Sequence, residues 1–417
     1  MSKSNISRPI VQELSESLHA GIDLGLEDNV VVVMDGNGKH VDRFHFSQDR
    51  GGYDFFLKRM AGLRQKHAGA DLAVAMEPTN YFWKLLAREL EAQGISYHLV
   101  NAYTVKKHRE GDQLEISKDD RRDARQIAEL SRTGHYTQTR LQRGAYEELR
   151  QYGTVYDQLQ KSIRRERHVL WGLAGQVFPE VFQVFARLEG EACQALLRQR
   201  AVAAQIRQVS AEALVSEVRG AFRGQRLMVK KLYRAHQVAQ NSIGVVEGCA
   251  AIQLAIRLHL DSLQALEAQL ARVKQAMTSC VATLPEAPYL QSFLGGLSTA
   301  LLLAEVGDPQ RYQAASQWVK LAGIQPTPNT SGQKQRSRTP MSHHGRARLR
   351  TLLYFTCLRR IQYDAHFAKL YAHLQHRKHN PLTKMQAVGV LMNKQLHILW
   401  ALMHNHSFYD PSFSVSA

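Results

Sequence analysis

Three things are scarce in this chain, and each scarcity narrows what it can be. The four cysteines, Cys193, Cys249, Cys280 and Cys357, stand far apart, with no CxxC pair and no histidine at ligand spacing. That argues against a zinc ribbon and a disulfide scaffold, and a reducing cytoplasm is the expected compartment. Long apolar runs are also missing. The longest, Ser292–Ala304, is too short to cross a bilayer as a helix, and the first twenty residues lack the apolar stretch of a signal peptide. No membrane association is expected.

The third scarcity is local. From Pro309 to Ala417 the only acids are Asp364 and Asp410, against fifteen Lys or Arg and nine of the nineteen histidines, so this quarter carries +13 of a net +17. A solvated face normally mixes both signs, so a surface nearly without acids needs a polyanionic partner, by default nucleic acid. An anionic membrane surface would meet the same need, but no clearly amphipathic basic helix supports it. The rest is ordinary: 417 residues, 44% hydrophobic and 22% charged, a globular composition with room for two or three domains.

Residues from about 18 to 140 read as α/β. His19–Gly25, Asn29–Asp35 and Lys39–Phe46, the last two joined by an Asp-Gly-Asn-Gly turn, predict a three-stranded antiparallel meander. A helix near 51–67, the strand Asp71–Met76, a helix near 81–93, the strand Ser96–Val100 and a helix from about Asp120 to Arg132 complete the order βββαβαβα. From about 144 to 282 strand signals vanish. Leu149, Tyr152, Tyr156, Leu159, Ile163, Leu170 and Leu173 follow a heptad, as do Ile256, Leu260, Leu263, Leu266, Leu270, Val273 and Met277. These are two long helices able to pair within one protomer or across subunits. Beyond Leu284-Pro285 come a Gly295-Gly296 helical run and a short helix over Gln313–Ala322. A Pro/Gly-rich loop, Gln325–Gly345, then leads to helices from about Arg346 and from Leu382 to His404.

Two constellations carry chemistry. Asp23 sits mid-strand in GIDLG, where a carboxylate is costly unless a cation meets it. Glu77 ends the strand before Pro78, and Asp120 and Asp123, three apart, share a helix face. In the βββαβαβα order the first and fourth strands are neighbours and the last helix crosses their ends, so four carboxylates can converge. Hard oxygen ligands in that number suit Mg²⁺ or Mn²⁺, which serve phosphoryl transfer. GIDLG also resembles the opening of a sugar-kinase phosphate hairpin, but no second glycine-rich phosphate loop accompanies it. Asp119 adjoins Asp120; the three-residue spacing to Asp123 favours Asp120. The second constellation, residues 329–350, holds Lys334, Arg336, Arg338, Arg346, Arg348 and Arg350 with no acid around Ser331-Gly332. Ser331 in such a setting is either an activated nucleophile or a phosphate contact.

Together these motifs resemble the insertion-sequence-110 family of DEDD-type transposases, bridge-RNA-guided recombinases, over nearly the whole chain. GIDLG, AMEPTN and KDDRRDA resemble the three carboxylate motifs of its RuvC-like domain, with Asp119 where the family usually has Thr. LAGIQP, Ser331-Gly332 and GRARLR resemble its C-terminal domain. The resemblance implies an α/β RNase H-like (RuvC-like) domain over 1–143, an α-helical coiled-coil oligomerisation region over 144–282 and a mainly α basic domain over 283–417. It implies Ser331 as the nucleophile forming a phosphoserine link to DNA, with Asp23, Glu77, Asp120 and Asp123 holding Mg²⁺. It further implies a structured guide RNA and composite sites in dimers assembling to a tetramer. The rival reading is a metal-only nuclease or junction resolvase in which Ser331 merely touches phosphate.

Overall fold

The computed structural model describes residues 17–412 apart from 68, 79, 80, 103, 106, 108–119, 139, 189, 221–225, 328, 329, 332, 333 and 336–339. The chain divides into two compact units, Met1–Leu141 and Gln142–Ala417, so the helical middle and the basic C-terminal region lie together in the second.

The first unit is built on a six-stranded sheet in the order β3-β2-β1-β4-β5-β6. Strands β1 (Ser17–Leu24), β2 (Asp28–Asp35) and β3 (His40–Ser47) form the expected antiparallel meander. Its second turn is set by Asp35, whose Oδ1 accepts from the Asn37 and Lys39 amides at 3.0 and 2.8 Å, while Gly38 takes φ 84°. Helix α1 (Arg50–Lys66) starts where the Asp49 carboxylate accepts from the Gly52 amide. Strand β4 (Asp71–Met76), helix α2 (Phe82–Ala92) and strand β5 (Ser96–Leu99) then add two parallel pairings, β1 with β4 and β4 with β5. Helix α3 (Asp120–Arg132) follows, and the two-residue strand β6 (Thr137–Gln138) closes the far edge antiparallel to β5. The order βββαβαβα is as expected; β6 is an addition, too short for alternation to betray. Leu18, Ala20, Ile22 and Leu24 pack on one face of the sheet with Phe56, Met60, Leu86 and Leu90. The alternate residues face α3, as the strand period of two requires.

The second unit is helical. The long helix α4 (Gly144–Val177) is followed by four shorter ones, α5 (Val181–Val184), α6 (Glu191–Arg200), α7 (Ala203–Arg207) and α8 (Ala211–Arg219), then by α9 (Arg226–Ala239) and the long α10 (Cys249–Val281). Helices α4 and α10 lie antiparallel against each other: Cys280 Sγ reaches the Ala145 carbonyl at one end, and His259 Nδ1 meets Glu166 at 2.6 Å toward the other. Their heptad residues are consumed in this pairing and the cores beside it, with Leu149, Ile163, Leu170, Ile256, Leu260, Leu263, Leu270 and Met277 all buried. The seam is thus filled within one chain.

The C-terminal part of this unit comprises α11 (Ala287–Leu294), α12 (Gly296–Val306), α13 (Ala315–Ala322), the hairpin strands β7 (Thr330–Ser331) and β8 (Lys334–Gln335), α14 (Ala347–Tyr363), α15 (Ala365–His376) and α16 (Lys384–His404). Trp318, Leu349, Leu353, Phe367, Leu391 and Leu396 form its centre. Asp364 separates α14 from α15: its carboxylate accepts from the His366 and Phe367 amides, pairs with Arg360 at 3.3 Å and accepts from Tyr409 Oη at 2.7 Å. Among the described residues no single helix is long and apolar enough to cross a membrane.

Candidate functional site

The carboxylate constellation is set by register. In the parallel pairing of β1 and β4, Ile22 lies opposite Met76, so Asp23, still paired with Val30 of β2, and Glu77, just past β4, lie toward the same end of the sheet. Asp23 falls on the face that α3 covers. On β1 this follows from alternation, since Ile22 and Leu24 belong to the opposite core. On β4, Ala75 packs against Ile127 and Leu130 of α3, two residues before Glu77.

The direction of α3 follows from two contacts. His19 Nδ1 lies 3.3 Å from Ser131 Oγ, near the C-terminal end of α3. Two residues further along β1, Gly21 lies against Ala124 and Ala128, so closely that a Cβ there would stand 2.8 Å from Ala128 Cα and closer still to the Ala124 carbonyl. Moving from His19 to Gly21 on the strand thus moves about a turn and a half toward the start of α3. The same step again brings Asp23 to the first turn of the helix, which holds exposed Asp120 and half-buried Asp123. Carboxylates there also gain from the positive end of the helix dipole, about 0.3–1 kcal/mol each. The backbone thus brings Asp23 toward the turn that holds Asp120 and Asp123, at the end of the sheet where Glu77 follows β4. Among the described residues, however, no group of three or more acid, histidine or cysteine side chains closes into a metal-holding cluster. Asp119 lies outside the described residues.

Further back on the same face sit two histidines. Burial pushes His19 below the usual imidazole range, with Arg132 and His98 adding to the effect, and burial alone lowers His98. His98 stacks on Tyr136 at 3.8 Å between ring centroids, and its buried Nδ1 has no hydrogen-bond partner. They act as neutral packing groups behind the carboxylate end.

The serine constellation is a hairpin. Ser331 pairs with Lys334 and Thr330 with Gln335 at its tip; Pro326 bridges to Met341 at its base, where the Thr327 amide donates to the Pro340 carbonyl and the Ser342 amide to the Gln325 carbonyl. Gly332, Arg336 and Arg338 lie outside the described residues. What fixes the base is a clasp between two glycines. Gly323 ends α13 in the left-handed region at φ 66°, and a Cβ on it would stand 2.9 Å from the Gly345 amide nitrogen; a Cβ on Gly345 would strike the Gly323 nitrogen. The Arg346 amide donates to the Leu321 carbonyl at 2.8 Å, and Arg350 Nη1 donates to the Ala322 carbonyl at 2.9 Å.

The arginines after the hairpin are therefore already employed. Arg350 satisfies a carbonyl at the end of α13. Arg346, half-buried, donates to the Glu305 carbonyl, with the Glu305 carboxylate at 3.9 Å. Burial pushes its guanidinium below the usual arginine range. Arg348 is more exposed and sits 3.3 Å from Asp157 and 3.8 Å from Glu305. Gly21 and the glycine clasp were not among the residues singled out from the sequence. The spacing of Ala124 and Ala128, one turn apart on α3, is the available signal for the first. The glycines of LAGIQP and GRARLR are the signal for the second.

Two family profiles match this chain. Residues 20–179 match one described as a DEDD-type insertion-sequence IS110 transposase, and residues 294–372 match one described as the transposase IS116/IS110/IS902 family. Among curated proteins, an "Insertion element IS110 uncharacterized 43.6 kDa protein" from Streptomyces coelicolor is 24% identical over 302 residues, covering 70% of this chain and 72% of that protein. A "Probable family 20 transposase" from Pseudomonas aeruginosa is 30% identical over 160 residues, 36% of this chain and 45% of that protein. Residues 20–179 are thus similar to DEDD-type IS110 transposases and residues 294–372 to IS116/IS110/IS902 transposases, which supports a transposase or recombinase role at the level of that family.

Proposed function

We propose that the chain cuts, exchanges and rejoins DNA strands of a mobile insertion sequence through a serine–DNA phosphodiester, with Ser331 as nucleophile and Asp23, Glu77, Asp120 and Asp123 as the carboxylate set. The observation that carries this reading is the register of β1 and β4. It sets Ile22 beside Met76, the residues just before Asp23 and Glu77, with Gly21 close against α3, in a segment that matches a DEDD-type transposase profile, and so supports a convergence of the carboxylates. The donor set fits a hard divalent cation such as Mg²⁺ or Mn²⁺, which, when bound, offsets the charge of the reacting phosphate.

At Ser331 the hydroxyl oxygen gives up its proton and forms a bond to phosphorus while a phosphorus–deoxyribose oxygen bond breaks, and the departing sugar oxygen takes up a proton to become a hydroxyl. Attack by a second sugar hydroxyl reverses the step on a new strand and frees the serine. Lys334, with Arg336 and Arg338, would neutralise the phosphate. The cationic surplus beyond Pro309 exceeds what one short loop needs and supports long contact with DNA and with a structured guide RNA. Because the heptad seam is filled within one chain, assembly to dimers and tetramers would draw on other faces of the helical unit.

The test is Ser331→Ala. A serine recombinase loses cleavage by on the order of 10⁴-fold or more, and wild-type protein on a suicide DNA substrate yields a denaturation-resistant adduct on the Ser331 peptide. Retained cleavage with no adduct would support the metal-only nuclease instead. Sequencing RNA that co-purifies with the protein tests the guide.

A further inference from the structure

At the base of the serine hairpin, α14 and α16 leave a cavity of about 250 Å³. Its walls are apolar and polarisable, from Met341 on the hairpin leg, Tyr354 on α14, and Met385 and Met392 on α16, while Arg350 and His343 supply polar groups. Gly389 also lines it; a Cβ there would strike the methyl of Met341, so the absent side chain keeps the hairpin leg seated against α16. The volume falls below the roughly 300–1,000 Å³ of sites for drug-sized ligands, which suits a single ring with the rest of its molecule outside.

Charge names the bearer of that ring. No Asp or Glu occurs between Pro309 and Tyr363, Lys384 adjoins Met385 at the start of α16, and Asp364 is buried in its own pairings. An apolar slot with an aromatic wall, in an acid-free stretch of chain and beside exposed Lys384, suits a base attached to a polyanion, because an unstacked base offers a π-face while its phosphates seek cations. Its place is equally specific. Ser331 follows Pro326, at the hairpin base, by five positions, a span of at most about 18 Å of extended chain.

We propose that this cavity takes one base, unstacked from the strand, within a few nucleotides of the phosphate that Ser331 engages. A base held there would fix the position of its strand relative to the hairpin, at the cost of lost stacking. The proposal rests on the reading of Ser331 given above.

The test uses full-length protein and single-stranded oligodeoxynucleotides with 5-iodouracil at successive positions. Binding is read by anisotropy, and photo-crosslinks by peptide mass. The expected result is a crosslink on the α14 peptide, at Tyr354, from one or two adjacent positions of the strand. Thr351→Trp, an exposed lining position where a large ring fills the mouth, should cut that crosslink at least tenfold while oligonucleotide affinity changes less than threefold. Tyr354→Leu is a second variant, keeping an apolar wall without the ring. Ser331→Ala should crosslink like wild type, so loss of cleavage in that variant reports on the nucleophile and not on the cavity. Crosslinks concentrated on the exposed Phe355 ring, or unaffected by Thr351→Trp, would overturn the cavity proposal and leave the serine reading standing. No oligonucleotide binding at all would overturn both. Dissociation of a protein oligomer by Thr351→Trp, without any crosslink, would assign the cavity to a side chain of a second copy instead.

Discussion

Replacing Gly21 by alanine should disable the carboxylate site without touching a carboxylate. The added methyl would lie 2.8 Å from Ala128 Cα and closer to the backbone of Ala124 and Ala128, atoms that cannot rotate away. Restoring ordinary van der Waals separation requires α3 to recede from β1 by about 1 Å. Overpacking of this kind costs about 1–3 kcal/mol, which a urea melt of the purified protein would register as a modest fall in midpoint. The same displacement carries Asp120 and Asp123 away from Asp23 and Glu77, and misplacing a reacting constellation by about 1 Å can cost about 10²-fold in rate. Cleavage of a labelled element end in Mg²⁺ should therefore fall by about two orders of magnitude under conditions where the variant is still folded. Gly62→Ala on α1 is the control, since nothing lies within 4 Å of a Cβ there; it should leave cleavage unchanged and hold or raise stability. A Gly21→Ala protein that melts lower yet cleaves at the wild-type rate would refute the placement of Asp120 and Asp123 against β1.

Three further outcomes follow from the same geometry. Asp23→Asn and Asp123→Asn should each abolish strand cleavage in Mg²⁺ while DNA retention persists, and EDTA should reproduce the effect; full cleavage by both variants would remove these residues from the site. Arg336→Gln with Arg338→Gln should flatten the dependence of log affinity on log salt by about 0.9 per lost phosphate contact, whereas Arg348→Gln, whose charge already faces Asp157 and Glu305, should change the slope little. For buried His98 and half-buried His19, both held below the usual imidazole range, the unfolded chain takes up protons as pH falls below about 6.5 more readily than the folded unit does. Stability should hold above that pH and fall beneath it, by at most about 1.4 kcal/mol per pH unit for each of His19 and His98. Urea midpoints at pH 7.5 and 5.5 measure this, and a His98→Gln variant with an undiminished pH slope would clear that residue of the effect.

The first unit was largely legible because its signals are local and redundant. The Asp-Gly-Asn-Gly turn fixes the meander, the run Asp71–Met76 is too short and apolar for anything but a buried strand, and the order of elements then forces β1 beside β4. The convergence of Asp23 and Glu77 needed only that adjacency. Distances between elements were not legible. Nothing in GIDLG states that α3 approaches Gly21 to backbone contact, because the reason lies in Ala124 and Ala128, a hundred residues later. The heptads of α4 and α10 were equally plain, yet a heptad records only that a seam exists; the same residues would serve a partner in the chain or in another subunit.

The basic segment after Ser331 shows why counting charge overstates a binding surface. Read as sequence, Arg346, Arg348 and Arg350 are three cations in an acid-free run and look available to phosphate. In the fold each has an internal acceptor: the Glu305 carbonyl and carboxylate for Arg346, Asp157 and Glu305 for Arg348, the Ala322 carbonyl for Arg350. A buried carbonyl at a helix end must be satisfied, and leaving one unmet costs about 1–3 kcal/mol, so Arg350 cannot leave α13 for a phosphate without a substitute donor. Arg346 is held the same way at Glu305. Their contribution to DNA is therefore indirect: they lock the Gly323–Gly345 clasp from which the Ser331 hairpin springs. Replacing either should lower stability first and alter cleavage through the position of the hairpin, while the salt dependence of binding stays with the cations that have no carbonyl of their own to satisfy.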